Sequence, residues 1–91
     1  MSYYGTNTVA LKSFANGKYV CAENAGASPL IANRDRVGPW ELFEIIPRRN
    51  GIAFRAVANG KLVCAENAGG SFLIANRDHA DLWETFSLEY F

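Results

Sequence analysis

The sequence predicts an all-β protein made of two similar repeats. Residues 9–45 and 52–88 align without a gap, and 22 of the 37 aligned positions are identical. Within each repeat, short apolar segments alternate with breaks that contain Gly, Pro or Asn, and no segment keeps a 3.6-residue period over the length of a helix. A repeat of this length usually forms one supersecondary unit that needs a neighbour to bury its apolar side.

Four short strands are predicted in each repeat. In the first repeat they cover residues 9–14, 18–23, 30–34 and 40–46, and an Ala-Asn-Gly turn, a polar loop and a Val-Gly-Pro break separate them. The second repeat has equivalent strands at 52–57, 61–66, 72–77 and 83–88. The predicted organisation is one structural domain, with an N-terminal extension (1–8), a first repeat (9–46), a linker (47–51) and a second repeat (52–91).

The composition describes a small, electrically neutral domain. Nine basic and nine acidic side chains give the 91-residue chain a net charge of zero, so no net field attracts phosphate backbones or anionic lipid. No apolar run approaches the roughly 20 residues needed to span a bilayer. Residues 1–7 also lack the basic and apolar features of a secretory signal. We therefore expect no nucleic-acid partner and no membrane insertion; the compartment stays unknown, with the cytoplasm as the default.

The cysteine and histidine content argues against a metal site or a catalytic centre. Cys21 and Cys64 occupy the same place in the two repeats, and we expect two buried thiols, with a disulfide or an intermolecular link as the alternative. His79 is the single histidine and no CxxC pair occurs, so neither a metal nor a cofactor is expected. Without a Ser-His-Asp set or a phosphate-binding loop, the sequence predicts a protein that is not an enzyme.

Strand alternation predicts which side chains of the fourth strand face the core. Phe43 and Ile45 are apolar and two residues apart, and the same period places Glu41 on their side. Trp40 then lies on the opposite face, where the second repeat carries Thr and Ser. Each tryptophan is therefore predicted to be exposed to solvent at the start of its strand. The equivalent second-repeat residues are Phe86, Leu88, Glu84 and Trp83.

Four motifs occur in the same order in both repeats. They are Asn-Gly-Lys (16–18, 59–61), Cys-Ala-Glu-Asn-Ala-Gly (21–26, 64–69), Leu-Ile-Ala-Asn-Arg-Asp (30–35, 73–78) and Trp-Glu-x-Phe (40–43, 83–86). This pattern resembles the repeat of fascin-like β-trefoil domains, and most closely the carbohydrate-binding modules attached to bacterial and plant glucan-hydrolysing enzymes. The resemblance implies that each repeat forms one four-stranded lobe of a pseudo-threefold trefoil. It also implies one shallow β-glucan site per lobe, built on an exposed Trp, whereas fascin itself uses such lobes to bundle actin.

The residues in these motifs suit sugar recognition chemically. A pyranose has an apolar C–H face and a rim of hydroxyl groups, so its binding requires an aromatic plate beside hydrogen-bond donors and acceptors. Trp40 and Trp83 are the candidate plates. Candidate polar partners are Glu23, Asn33, Arg34, Asp35 and Glu41 in the first repeat, and Glu66, Asn76, Arg77, Asp78 and Glu84 in the second. Such sites bind weakly one by one and gain from multivalency.

Several of these residues also have structural alternatives. Trp40 and Trp83 could instead be core residues that close the barrel, as the Trp of a Gln-x-Trp motif does in ricin-type trefoils. Aligned with Glu41-x-Phe43, however, that motif makes Phe43 the core aromatic and leaves the tryptophan one residue outside. The same alignment makes Glu41 a tie to a neighbouring backbone. Arg34 and Asp35 could pair with each other at the surface, where such a pair contributes little to stability. The asparagines ahead of Ala-Gly could be turn formers, namely Asn24 and Asn67.

The predicted function is therefore non-catalytic, multivalent carbohydrate binding, directed at a β-glucan-type polysaccharide. A fascin-like module that bundles actin or another protein is one alternative, although the chain lacks the clustered basic surface expected for acidic filaments. A purely structural oligomer is the other alternative.

The number of repeats predicts an oligomer. A β-trefoil closes with three lobes, whereas this chain has two, and an unfinished lobe would leave exposed strand edges. We expect the trefoil to be completed by homo-oligomerisation. Three chains carry six lobes, enough for two trefoils if lobes are exchanged; a dimer with a different closure and a truncated or engineered fragment are alternatives.

Overall fold

Short antiparallel strands connected by tight turns make up the computed structural model, which describes residues 7–49, 51–87 and 89. The fold is all-β, as the sequence predicts. Its strands, in chain order, are β1 (Thr8–Val9), β2 (Tyr19–Ala22), β3 (Leu30–Arg34), β4 (Phe43–Arg48), β5 (Gly51–Ala56), β6 (Leu62–Ala65) and β7 (Leu73–Arg77). In the same described residues, 3₁₀ turns follow β2, β3, β6 and β7, at Glu23–Gly26, Pro39–Glu41, Glu66–Gly69 and Leu82–Glu84.

The strands form a five-stranded sheet in the order β1-β4-β5-β6-β7 and a separate β2-β3 hairpin. The longest ladder joins the repeats, because β4 of the first repeat pairs with β5 of the second from Phe43↔Ala56 to Arg48↔Gly51. An isolated bridge between Ile52 and Phe86 then attaches the last described segment of the second repeat to β5. The two repeats are therefore held together by continuous backbone hydrogen bonding.

Several predicted strand boundaries are wrong, and local turn chemistry explains the differences. In place of the predicted strand 9–14, the structure has only Val9 at the end of β1 and an isolated bridge at Lys12. The strand ends there because Ser13 begins a turn, in which its carbonyl accepts from Gly17 N–H at 2.8 Å. The predicted strands 40–46 and 83–88 begin instead with 3₁₀ turns, and Pro39 suits the first position of such a turn since its φ is already near helical. Leu88 lies outside the described residues.

The β4–β5 hairpin occupies the segment that the sequence assigns to a linker. Pro47 and Arg48 belong to β4, and Gly51 begins β5, while Asn50 lies outside the described residues. Of the N-terminal extension at 1–8, Asn7 and Thr8 are described, and residues 1–6 lie outside the described part. The carbonyl of Asn7 accepts from Ile45 N–H at 2.7 Å, which anchors the start of the first repeat to β4.

The core of the described residues is small and consists of alanines, two larger aliphatic side chains, one aromatic ring and two thiols. Phe43 is fully buried and packs with Ala22, Ala56, Val63 and Ala75, which come from both repeats. The prediction that Phe43 is a core aromatic is confirmed. The buried-thiol prediction is also confirmed, because both cysteines are free and have no solvent exposure, namely Cys21 and Cys64.

Removal of the central aromatic should therefore cost much of the stability. Phe43→Ala is expected to lower the free energy of unfolding by about 3–5 kcal/mol, since it removes a buried ring and leaves a cavity. Leu82→Ala is the matched control, because Leu82 is largely exposed and its loss should change stability by less than about 0.5 kcal/mol. Urea denaturation measures both values, and similar effects of the two substitutions would contradict this assignment of the core.

Candidate functional site

The Glu23–Gly26 turn places the first of the candidate site residues. Asn24 and Ala25 adopt left-handed φ angles of 53° and 55°, and the equivalent turn in the second repeat repeats these values within a degree at Asn67 and Ala68. Asparagine tolerates this region better than most residues, so the turn-forming role of both asparagines is confirmed. The turn begins with Glu23, at the end of the β2-β3 hairpin.

Glu23 binds the two polar residues at the end of β3. Its carboxylate accepts from Asn33 Nδ2 at 2.8 Å, and both terminal nitrogens of Arg34 donate to it at 3.0 Å. The hydrogen bond from Asn33 and then the bidentate Arg34 contact lower the pKa of Glu23. The hydrogen bond to Glu23 in turn raises the pKa of Arg34. In the second repeat Glu66 receives the equivalent bonds from Asn76 at 3.1 Å and Arg77 at 3.2 Å.

Glu41 connects the same arginine to the turn before β4. One carboxylate oxygen accepts from Gly38 N–H at 2.6 Å, and the other lies 3.8 Å from Arg34 Nε. In the second repeat Glu84 accepts from Asp81 N–H at 2.8 Å and lies 3.8 Å from the Nε of the equivalent arginine. Both glutamates are buried, with exposed fractions of 6% and 4%. These contacts favour the structural alternative, in which the glutamate ties the turn to a neighbouring backbone.

The two buried thiols contact the buried glutamates, Glu41 and Glu84, from the side of the core. Burial, followed by a hydrogen bond with Glu41, raises the pKa of Cys21 to about 12. Burial and a hydrogen bond with Glu84 raise the pKa of Cys64 to about 11. We call the set Glu23, Asn33, Arg34 and Glu41, with its second-repeat equivalents Glu66, Asn76, Arg77 and Glu84, the carboxylate–guanidinium network.

Asp35 and Asp78 lie outside this network. Each forms an ion pair with a lysine of the Asn-Gly-Lys motif, Lys18 in the first repeat and Lys61 in the second. The hydrogen bond and charge of Lys61 lower the pKa of Asp78. The alternative in which Arg34 pairs with Asp35 is wrong, because Arg34 pairs with Glu23 and Asp35 pairs with Lys18. The sequence reasoning missed both lysines, although the shared 17-residue spacing to the aspartates was a signal.

Both tryptophans lie in 3₁₀ turns, directly before the buried glutamates. Trp40 is 37% exposed and Trp83 is 40% exposed, so the predicted solvent exposure is confirmed although neither residue lies in a strand. A cleft of about 380 Å³ adjoins the second tryptophan. It is lined by Arg77, His79, Asp81, Leu82, Trp83 and Glu84.

The sequence reasoning also missed Asp81 as a member of this cleft. Its Oδ1 accepts from Leu82 N–H at 2.9 Å, and its own N–H donates to Glu84. The spacing Asp-x-x-Glu at 81–84 is the signature of a capping box and could have revealed this turn. The first repeat carries Gly38 at the equivalent position and keeps only the bond to the glutamate.

Neither a metal-binding cluster nor a membrane-spanning helix is found among the described residues. No three or more His, Cys, Asp and Glu side chains come together there in a way that could hold a metal ion. In the same part of the chain, no helix has the length and apolar character needed to cross a bilayer.

The network should make stability depend on pH in the acid range. Because the pKa of Glu23 in the folded state lies below its ordinary value of 4.5, its stabilising contribution is present above about pH 4.5 and is lost as the pH falls through the folded value. Glu23→Gln should therefore reduce stability at neutral pH and flatten the decline in acid. Urea midpoints between about pH 3 and pH 7 test this expectation.

Glu44→Gln is the control for this series, since Glu44 forms an exposed ion pair with Arg55 at 3.5 Å outside the network. This variant should keep the acid decline of the wild type. An unchanged decline in Glu23→Gln would contradict the role assigned to Glu23.

The thiols should be protected in the folded protein. Since their pKa values are raised to about 12 and about 11, little thiolate exists near pH 8, and both sulfurs are buried. An aromatic disulfide reagent should therefore react slowly with the native protein and rapidly with two thiols per chain in denaturant. Rapid reaction under native conditions would show that Cys21 or Cys64 is accessible.

No family model matches the chain, and no curated protein matches its sequence.

Proposed function

We propose that this protein is a non-catalytic, multivalent carbohydrate-binding protein with one shallow site per repeat. The observation that carries the proposal is the exposed tryptophan that occurs at the same place in both repeats, beside a polar cleft in the second. An aromatic face can pack against the C–H face of a pyranose, and the cleft residues can bond to the hydroxyl rim.

The rigidity of the tryptophan turns supports this proposal. Trp83 precedes Glu84, whose carboxylate is bonded to the backbone at the start of the same turn. Arg77 then holds that glutamate against the end of β7. An aromatic plate that is fixed before the ligand arrives loses little conformational entropy on binding, which favours affinity for a weakly binding ligand.

The polar side chains at the Trp83 cleft suit a hydroxyl-rich ligand. Arg77 supplies N–H donors, Asp81 supplies a carboxylate acceptor, and His79 supplies either role. The volume of about 380 Å³ falls in the range of small-ligand clefts, about 300–1,000 Å³. With the resemblance to modules of glucan-hydrolysing enzymes, these groups support a β-glucan-type polysaccharide as the ligand.

The two sites are proposed to be unequal. The first repeat replaces His79 by Arg36, Asp81 by Gly38 and Leu82 by Pro39, so it lacks one acidic acceptor beside its tryptophan. The second repeat should therefore bind sugar more tightly than the first. Binding of two sites to one polymer would still raise the total affinity by avidity.

The contacts of the candidate carboxylates support a non-catalytic role. Both oxygens of Glu84 have partners within the turn or on the neighbouring arginine, and Asp81 accepts from a backbone N–H. A glycoside hydrolase needs one carboxylic acid free to protonate the leaving oxygen and a second to act as nucleophile or base. We assign Glu41 and Glu84 to positioning the tryptophan rather than to contacting the sugar, and we propose no role for a cofactor.

We further propose that the strands form β-trefoil-type lobes. Each repeat contributes one hairpin, β2-β3 or β6-β7, and the β4–β5 ladder joins the repeats in the manner expected between neighbouring lobes. The Ile52–Phe86 bridge adds the end of the second repeat beside β5. This order, β1-β4-β5 followed by the Phe86 segment, supports an incomplete barrel with two of three lobes.

The carbohydrate proposal is tested with a soluble β-glucan oligosaccharide and calorimetry. Trp83→Ala should weaken binding at least about tenfold, because an aromatic face contributes about 1.5–3 kcal/mol when buried and each ~1.4 kcal/mol corresponds to a factor of ten. Trp40→Ala should weaken it less, and the double substitution should abolish it. Pull-down on insoluble β-glucan provides the polymer measurement.

Phe14→Ala is the matched control, since Phe14 is a fully exposed aromatic that lies outside the tryptophan turns. It should leave oligosaccharide affinity unchanged. Folded double-tryptophan protein that still binds with wild-type affinity would refute the proposed site, and absence of β-glucan binding by the wild type would refute the ligand class.

A further inference from the structure

The two repeats contact each other through different surfaces. The first repeat contributes the Glu23–Gly26 turn and β3, which lie against β7 of the second repeat. A Cβ placed on Gly26 would lie 2.1 Å from Asn59 Nδ2, so only glycine permits this approach. Val57 N–H also donates to the Leu42 carbonyl at 3.1 Å. We call Gly26 and Leu30, with their equivalents Gly69 and Leu73, the tail surface of a repeat.

The partner surface belongs to the start of the second repeat. It includes Asn59, which approaches Gly26, together with Phe54 and Val57, whose backbones pair with Ile45 and Leu42 of the first repeat. We call these three residues, with their first-repeat equivalents Leu11, Phe14 and Asn16, the head surface. The internal contact is therefore head-to-tail, with the tail of the first repeat on the head of the second. Such a heterologous contact uses two different patches. It leaves the head of the first repeat and the tail of the second repeat open.

The open tail has the same shape as the occupied one. Gly26 and Gly69 share a φ of +94°, yet Gly26 is buried, while a Cβ on Gly69 would meet no described heavy atom within 4 Å. Leu30 is half-buried, whereas Leu73 is 40% exposed. The chemistry and the backbone conformation are equal, so the difference lies only in the missing neighbour.

The open head has the same local hydrogen bonds as the occupied head. Asn16 donates to the Ala32 carbonyl at 3.0 Å and accepts from Lys18 N–H at 2.9 Å, which are the same two bonds that Asn59 makes in the occupied head. Phe14 is fully exposed, while its equivalent Val57 is half-buried. The first repeat thus presents an aromatic side chain to solvent at the position where the second repeat has a half-buried valine.

The open head and the open tail meet at one apolar groove. This groove has a volume of about 340 Å³ and includes Leu11 of the open head and Leu73 of the open tail. Its other lining residues are Val20, Leu30, Ile31, Ala32 and Phe72. A single repeat inserted here would cover both open surfaces with its own head and tail, provided that the copy it comes from has opened its internal head-to-tail contact.

We propose that the groove binds one repeat from a second copy of this chain, in the same head-to-tail manner that joins the two repeats within the chain. The occupant is a copy because the open surfaces match the chain's own surfaces residue by residue at Asn16/Asn59, Gly26/Gly69 and Leu30/Leu73. The net charge of zero removes long-range repulsion between copies. Each filled groove makes a set of three repeats, two from one chain and one from the copy. Three chains carry six repeats, enough for two such sets, so a trimer with exchanged repeats is the expected assembly.

Light scattering on the purified full chain tests this interface, and its readout is independent of sugar binding. The wild type should have a mass of two or more chains of 10.0 kDa, with three chains expected. Phe14→Glu in the open head and Leu73→Glu in the open tail should each reduce the mass to 10.0 kDa at the same concentration, because a charge would be buried without a partner.

Leu82→Glu is the matched control, since Leu82 is a more exposed leucine that lines other clefts, and this variant should keep the wild-type mass. Far-UV circular dichroism identifies folded variants. Should Leu73→Glu fail to fold, Phe14→Glu decides alone, because Phe14 is fully exposed and its substitution spares the fold. A 10.0 kDa wild type, or a folded Phe14→Glu protein with the wild-type mass, overturns the proposal.

Discussion

Each repeat depends on the contacts of one arginine with two glutamates. Arg34 contacts Glu23 in the turn after β2 and Glu41 in the turn before β4, so one side chain connects three separate segments. Arg77 does the same with Glu66 and Glu84. Loss of either partner would leave a partly buried charge unsatisfied, which usually destabilises a protein more than the intact pair stabilises it.

This network also determines the position of the proposed binding surface. Glu41 and Glu84 each accept from the backbone amide of the residue that precedes their 3₁₀ turn, and the residue before each glutamate is tryptophan. Because the glutamate is buried and held, its neighbour is directed toward solvent in a fixed orientation. The exposed aromatic and the buried carboxylate are therefore consequences of one turn that occurs in both repeats.

Identical residues in the two repeats have different environments, because each repeat has only one neighbour within the chain. Gly26 is buried against Asn59, whereas Gly69 has the same conformation and lies open. Local hydrogen bonds are equal at Asn16 and Asn59. Local structure is thus complete in each repeat, while burial depends on what lies beside it.

The sequence by itself determined the all-β class, the duplication, the bounds of the third strand of the first repeat, the buried thiols and the exposed tryptophans. These features follow from local turn residues and from the two-residue period of apolar side chains, which act over a few positions. Only the tertiary structure decided that Arg34 pairs with Glu23 instead of Asp35, that Glu41 is bonded to a backbone amide, and that Gly26 but not Gly69 is buried. These choices depend on which segments meet in space, since ion-pair and packing partners lie many residues apart along the chain.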